Sequence, residues 1–117
     1  MSERAMLLYL QDILDSGTAI QSYVKGSTLD HFVQDRMQFS AVIREFEIIG
    51  EAVGKLPGNM KDIYPDVQWQ DIKDFRNLLV HEYFGVDLEI VWNTICNDLP
   101  ILLDTARRLM AEQGDSS

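Results

Sequence analysis

The chain has 117 residues, 46% hydrophobic and 25% charged, which is the make-up of one ordinary globular domain and excludes a disordered tail or a collagen-like repeat. Its single cysteine, Cys96, excludes a disulfide scaffold or a cysteine-based zinc finger within one chain. Ten Lys and Arg stand against nineteen Asp and Glu, a net charge of −9, so no broad basic surface is available to neutralise phosphates. The apolar run Met6-Leu7-Leu8-Tyr9-Leu10 stops at Gln11 and Asp12, far short of the roughly 20 residues that a membrane span needs. No basic stretch followed by a long apolar one reads as a secretion signal. A cytoplasmic protein without a membrane partner is the expectation.

Met6, Leu7, Leu10, Ile13, Leu14, Ile20, Tyr23 and Val24 recur mostly at three- and four-residue steps, which predicts an amphipathic helix from Ser2 to about Lys25. Ser2 and Glu3 make its start and Gly26 its stop. Gly17 inside it costs about 1 kcal/mol against Ala and allows a bend. Ser27 or Thr28 caps a short helical turn, Leu29 to Gln34. Asp35 caps the longest helix, Arg36 to Leu56. There Ser40, Arg44, Glu47, Glu51 and Lys55 form a narrow polar stripe, with Val42, Phe46, Ile49 and Val53 opposite. A helix apolar around most of its girth is a central one. Pro57-Gly58-Asn59 breaks it, and Met60 to Val67 reads as a loop or short turn. Trp69 to Phe84 is the next helix, ended by Gly85. Asp87 caps Leu88 to Asn97, Asp98-Leu99-Pro100 is a kink or a new start, and Ile101 to about Gln113 is last.

No stretch alternates with period two, so no strands are expected. The prediction is an all-α, up-and-down bundle of four to five main helices, one domain over residues 1–113 with a flexible tail at 114–117. Seams left exposed on so short a bundle are often closed by pairing two copies.

Groups that carry chemistry concentrate in Arg76-Asn77-Leu78-Leu79-Val80-His81-Glu82-Tyr83, an R-x4-H-x-Y pattern on a predicted helix. Histidine moves protons near neutral pH. Arginine holds phosphate bidentately, and a tyrosine phenol can donate to phosphate or carry it. Together they suit phosphoryl transfer without a metal. On a straight helix Asn77 and His81 share a face, whereas Arg76 and His81 lie about 140° apart. Either Arg76 curls around, or two copies of the helix meet and concentrate positive charge in a shared cleft. A single histidine on a helix is more often structural, so the pattern alone does not assign catalysis.

The wider sequence adds context. Ile48-Ile49-Gly50-Glu51-Ala52, Trp69-Gln70-Asp71-Ile72, Arg76 to Phe84, Val91-Trp92 and Asp98-Leu99-Pro100 follow in an order that resembles the HepT-type toxins of the HEPN ribonuclease superfamily, from about Asp35 to Leu102. The resemblance implies an all-α homodimer with no cofactor, a metal-independent endoribonuclease that serves as the toxin of a type VII toxin-antitoxin system. It implies RNA as substrate and a nucleotidyltransferase antitoxin as partner, which attaches AMP to the tyrosine of the motif. Carried over, Arg76 and His81 are the catalytic pair, Asn77 is their polar companion, and Tyr83 is the AMPylation site. Glu51 is a supporting residue that could orient Arg76 or His81. The net charge favours a different reading, a non-catalytic helical binding subunit of a nucleotidyltransferase complex.

The remaining polar residues have plainer readings. Glu51 also fits a one-turn pairing with Lys55, or a buried ion pair. His31 is expected to be exposed, and Asp30, His31 and Asp35 match no standard metal spacing. Cys96, beside Val91, Trp92 and Ile95, is expected to be buried and inert. Trp69 and Trp92 read as core or interface anchors. Tyr9, Tyr23 and Tyr64 read as packing residues. Lys73 either extends a phosphate-binding patch or is simply solvated.

Overall fold

The computed structural model describes residues 2–63 and 87–115. Side-chain and backbone caps set the limits of its helices. α1 (Glu3–Val24) starts where the Ser2 hydroxyl accepts the Ala5 amide at 3.1 Å, satisfying a donor the first turn leaves free. It ends at Gly26, whose φ of +76° any side chain would strain, and the Ser27 amide turns back to the Val24 carbonyl at 2.8 Å. Thr28 caps α2 (Leu29–Gln34) by accepting the His31 amide at 3.2 Å. Asp35 then closes α2 and opens α3 (Arg36–Lys55), with one carboxylate oxygen accepting the Gln38 amide at 3.1 Å. The helix starts at Ser2, Thr28 and Asp35 and the stop at Gly26 are therefore where the sequence places them.

Past α3 the structure departs from those expectations. Residues after Pro57 form α4 (Gly58–Ile63), where the sequence reads as a break and then a loop or turn. Proline ends one helix and also suits the start of the next, and the Pro57 carbonyl accepts the Lys61 amide at 3.4 Å. α5 (Leu88–Asn93) begins at Asp87, which accepts the amides of Glu89 and Ile90 at 2.9 and 3.4 Å. Thr94–Asp98 form a π-helical turn that leads straight into α6 (Leu99–Asp115). Asp98-Leu99-Pro100 is thus passed without a fresh cap. Pro100 has no amide to give the fourth carbonyl before it, and its ring crowds that carbonyl. The wider turn, with the Leu99 amide reaching the Thr94 carbonyl, relieves the conflict. The backbone of α6 runs two residues past the expected end at Gln113.

α1 packs on α3 and α6, and α2 packs on α3 and α5. Leu10, Ile13 and Ile20 of α1 meet Val42, Phe46, Ile49 and Val53 of α3 and Leu102, Leu103, Ala106 and Leu109 of α6 in one core. The apolar face read from α3 is therefore the buried one. α1 runs unbroken through Gly17, whose role is a close approach. A Cβ there would lie 2.3 Å from a methyl of Leu103, which is itself 1% exposed. Phe32 of α2 is fully buried, with its ring 5.3 Å from Trp92 and 6.5 Å from Phe39 between centroids. Trp92 is the packing anchor its sequence context suggests. Tyr9 also packs against the core, whereas Tyr23 is 44% exposed. Among the described residues there is no strand, and no helix is long and apolar enough to cross a membrane. The architecture is an all-α bundle.

Candidate functional site

Arg76, Asn77, His81 and Tyr83 lie outside the described residues, as do Tyr64, Trp69 and Lys73. The described residues place the chain on either side of the motif. α4 carries it to Ile63, and it re-enters at Asp87, four residues after Tyr83. That re-entry is anchored. Asp87 fixes the first turn of α5, Val91 is fully buried, and Trp92 stacks at a tilt on Phe32. The segment carrying Arg76 and His81 thus feeds into a helix whose position is set by α2.

Glu51 is the one expected site residue within the described region. Its carboxylate lies 3.8 Å from the Lys55 ammonium, one turn on, with the two side chains 60% and 51% exposed. This is the solvated one-turn pair and not a buried ion pair. Such a pair contributes little to stability, because water screens it and two long side chains must be ordered. The Lys55 ammonium also stands 5.5 Å above the centre of the Tyr9 ring. Tyr9, Asp12, Ile48, Glu51, Ala52 and Lys55 line a cleft of about 190 Å³ between α1 and α3. The sequence gives no sign of the meeting of Tyr9 with Lys55. It joins residues far apart in the chain, and Tyr9 has no basic neighbour at helical spacing.

A second, more open hollow is lined by Lys25, Gly26, Ser27, Thr28, His31 and Gln38. Within it the Ser27 hydroxyl donates to the Gln38 side-chain oxygen, and the Gln38 side-chain Nε2 donates to the Tyr23 carbonyl, each at 3.0 Å. His31 is exposed, as expected, with Nε2 3.1 Å from the Asp35 carboxylate. Among the described residues no three His, Cys, Asp or Glu are grouped to hold a metal ion. Cys96 corrects the sequence reading, for it is exposed. It lies on the π turn, between the buried Ile95 and Leu99.

Comparison with known families matches residues 13–109 to the HepT-like family, described as Ribonuclease HepT-like. The chain is 36% identical over 94 residues to the protein named "Probable ribonuclease HepT" of Thermococcus cleftensis, covering 80% of this chain and 86% of that one. It is 36% identical over 105 residues to "Putative RNase TTE0752" of Caldanaerobacter subterraneus, covering 90% and 94%. It is 37% identical over 105 residues to "Gamma-glutamylcyclotransferase and putative RNase MJ0434" of Methanocaldococcus jannaschii, and there it spans only 47% of the longer protein. No solved structure matches the chain. With the family match running from the core of α1 to the core of α6, and with relatives of similar length along most of the sequence, the chain belongs to the HepT-like ribonuclease family.

Proposed function

We propose that the protein is a metal-independent endoribonuclease toxin that works as a homodimer, with Arg76 and His81 as its catalytic pair. The observation that carries this reading is the intact Arg76-Asn77-x-x-x-His81-x-Tyr83 pattern inside a family match covering residues 13–109. In the reaction the ribose 2′-oxygen attacks the adjacent phosphorus and the bond to the 5′-oxygen breaks. His81 moves the proton at one of those two oxygens, off the 2′-hydroxyl as a base or onto the leaving 5′-oxygen as an acid. Arg76 holds the charge that builds on the phosphoryl oxygens. On the helix the sequence predicts, Asn77 falls on the face of His81, and its proposed role is to supply an amide that orients it. A two-fold pairing brings two copies of Arg76 and His81 to one cleft and offsets the acidity of the chain.

The products test the mechanism. Purified protein should cut RNA equally well with and without EDTA and leave a 2′,3′-cyclic phosphate and a 5′-hydroxyl. An RNA with a single 2′-deoxyribose at the scissile position should resist. Cleavage that needs added metal, or that proceeds at the deoxy position, would sink this mechanism. Failure to cut any RNA would favour the second reading, a non-catalytic subunit of a nucleotidyltransferase complex, for which the net charge of −9 is the supporting observation.

Regulation belongs to the same proposal. AMP attached to the Tyr83 phenol by a nucleotidyltransferase antitoxin sets a phosphodiester anion two residues from His81. That anion pairs with Arg76 and repels incoming RNA. Intact mass after co-expression with such an enzyme should rise by whole AMP units, and the rise should vanish in Tyr83→Phe. An unchanged mass would move neutralisation to direct binding.

A further inference from the structure

We infer that the cleft between α1 and α3 is a docking site for an arginine side chain of a partner protein, with Lys55 as its built-in occupant. The residues it uses lie outside the R-x4-H-x-Y motif, and it shares with the catalytic reading only Glu51, which the structure pairs with Lys55. The cleft holds two carboxylates, Asp12 and Glu51, against one cation, Lys55. Its wall includes the Tyr9 ring, which is packed on the core and held in place, with Ile48 and Ala52 as apolar flanks. A cation already sits in it. The Lys55 ammonium is 5.5 Å above the ring and 3.8 Å from Glu51, too far for a good hydrogen bond. Lysine satisfies this site poorly. A guanidinium is planar and weakly hydrated, so it can stack on the ring and present two N–H donors to a carboxylate together.

The half-exposed Lys55 has a flexible stem and can swing into water as the arginine enters. The occupant is basic by charge complementarity. The chain carries a net −9, which steers cationic partners toward it. Asp12 and Glu51 would repel the phosphates of RNA at this cleft. At about 190 Å³ the space takes the head of one side chain.

The probe is a blocked glycine-arginine-glycine peptide, titrated into the full chain while backbone amide shifts are followed by NMR. Its counterpart carries citrulline, which keeps the shape and removes the charge. The arginine peptide should give saturating shifts at Tyr9, Asp12 and Glu51, and citrulline should not. Tyr9→Leu, which leaves the net charge unchanged, should weaken binding about threefold through loss of the ring. Lys55→Ala should tighten binding about twofold by removing the internal competitor. Lys25→Ala changes the net charge equally and should leave the affinity where it was. Equal shifts with citrulline, shifts spread over the acidic surface without saturation, or equal effects of the two lysine variants would each overturn the inference. So would a short RNA that moves the same amides when the arginine peptide does not. These readouts do not depend on RNA cleavage, so an inactive protein with a working cleft is distinguishable from an active one without it.

Discussion

Replacing His81 with alanine should lower RNA cleavage by about two to four orders of magnitude, the usual contribution of a positioned proton-transfer group. Arg76→Ala should cost about two to three orders through lost stabilisation of the phosphoryl charge. Arg76→Lys should recover only part of that, because a point charge does not reproduce the bidentate fork. The two losses should not add, since both groups act on one transition state. In cells expressing the protein alone, the proposed toxin activity predicts that wild type should arrest growth and His81→Ala should not, at equal amounts of soluble protein. Circular dichroism must show the same helix content for both. Equal arrest by the two would refute the assignment of His81. Full cleavage by Arg76→Ala would leave His81 in place and remove arginine from the mechanism.

Phe32→Ala should be the most damaging single change to stability among the described core residues. Truncating a fully buried phenylalanine costs about 3–5 kcal/mol, and a domain of this kind is stable by only about 5–15 kcal/mol. Phe32 is fully buried and meets the rings of Phe39 on α3 and Trp92 on α5. α2 has six residues, too few to hold itself as a helix. Its place therefore depends on that one ring. Urea unfolding should show the loss as a lower midpoint, with Val33→Ala, a neighbour 38% exposed, near wild type. A cost below about 1 kcal/mol would mean that the pocket around Phe32 collapses freely and that α2 does not brace the bundle. Trp92 loses its stacking partner nine residues after Tyr83, so cleavage should fall in Phe32→Ala even at temperatures where it stays folded.

Much of the fold is legible because its signals are local. Ser2, Thr28, Asp35 and Asp87 each cap a helix through a side-chain oxygen two or three residues from the amide it accepts, so the signal lies within one turn of sequence. The buried face of α3 is legible because its apolar residues repeat with the helical period. Misreadings arise where one residue can do two things. Pro57 ends a helix and begins another, and the sequence favours only the first. Pro100 leaves a kink or a new helix start open in the sequence, and the structure passes it on a π turn without a fresh cap. The tyrosine–lysine contact across α1 and α3 has no local signal at all. The candidate site rests on a different kind of signal. Arg76, His81 and Tyr83 are singled out by a resemblance spread over several motifs, not by burial or capping, and they lie outside the described residues.

The π turn lets a single rod serve two neighbours. Before it, Trp92 faces α2 through Phe32; after it, Leu103 meets Gly17 on α1. An unbroken α-helix would carry one apolar stripe along its length. One extra residue in the winding offsets the second stripe from the first by about 100°, a single helical step. The joint is made without a loop, so one continuous helical segment serves both contacts.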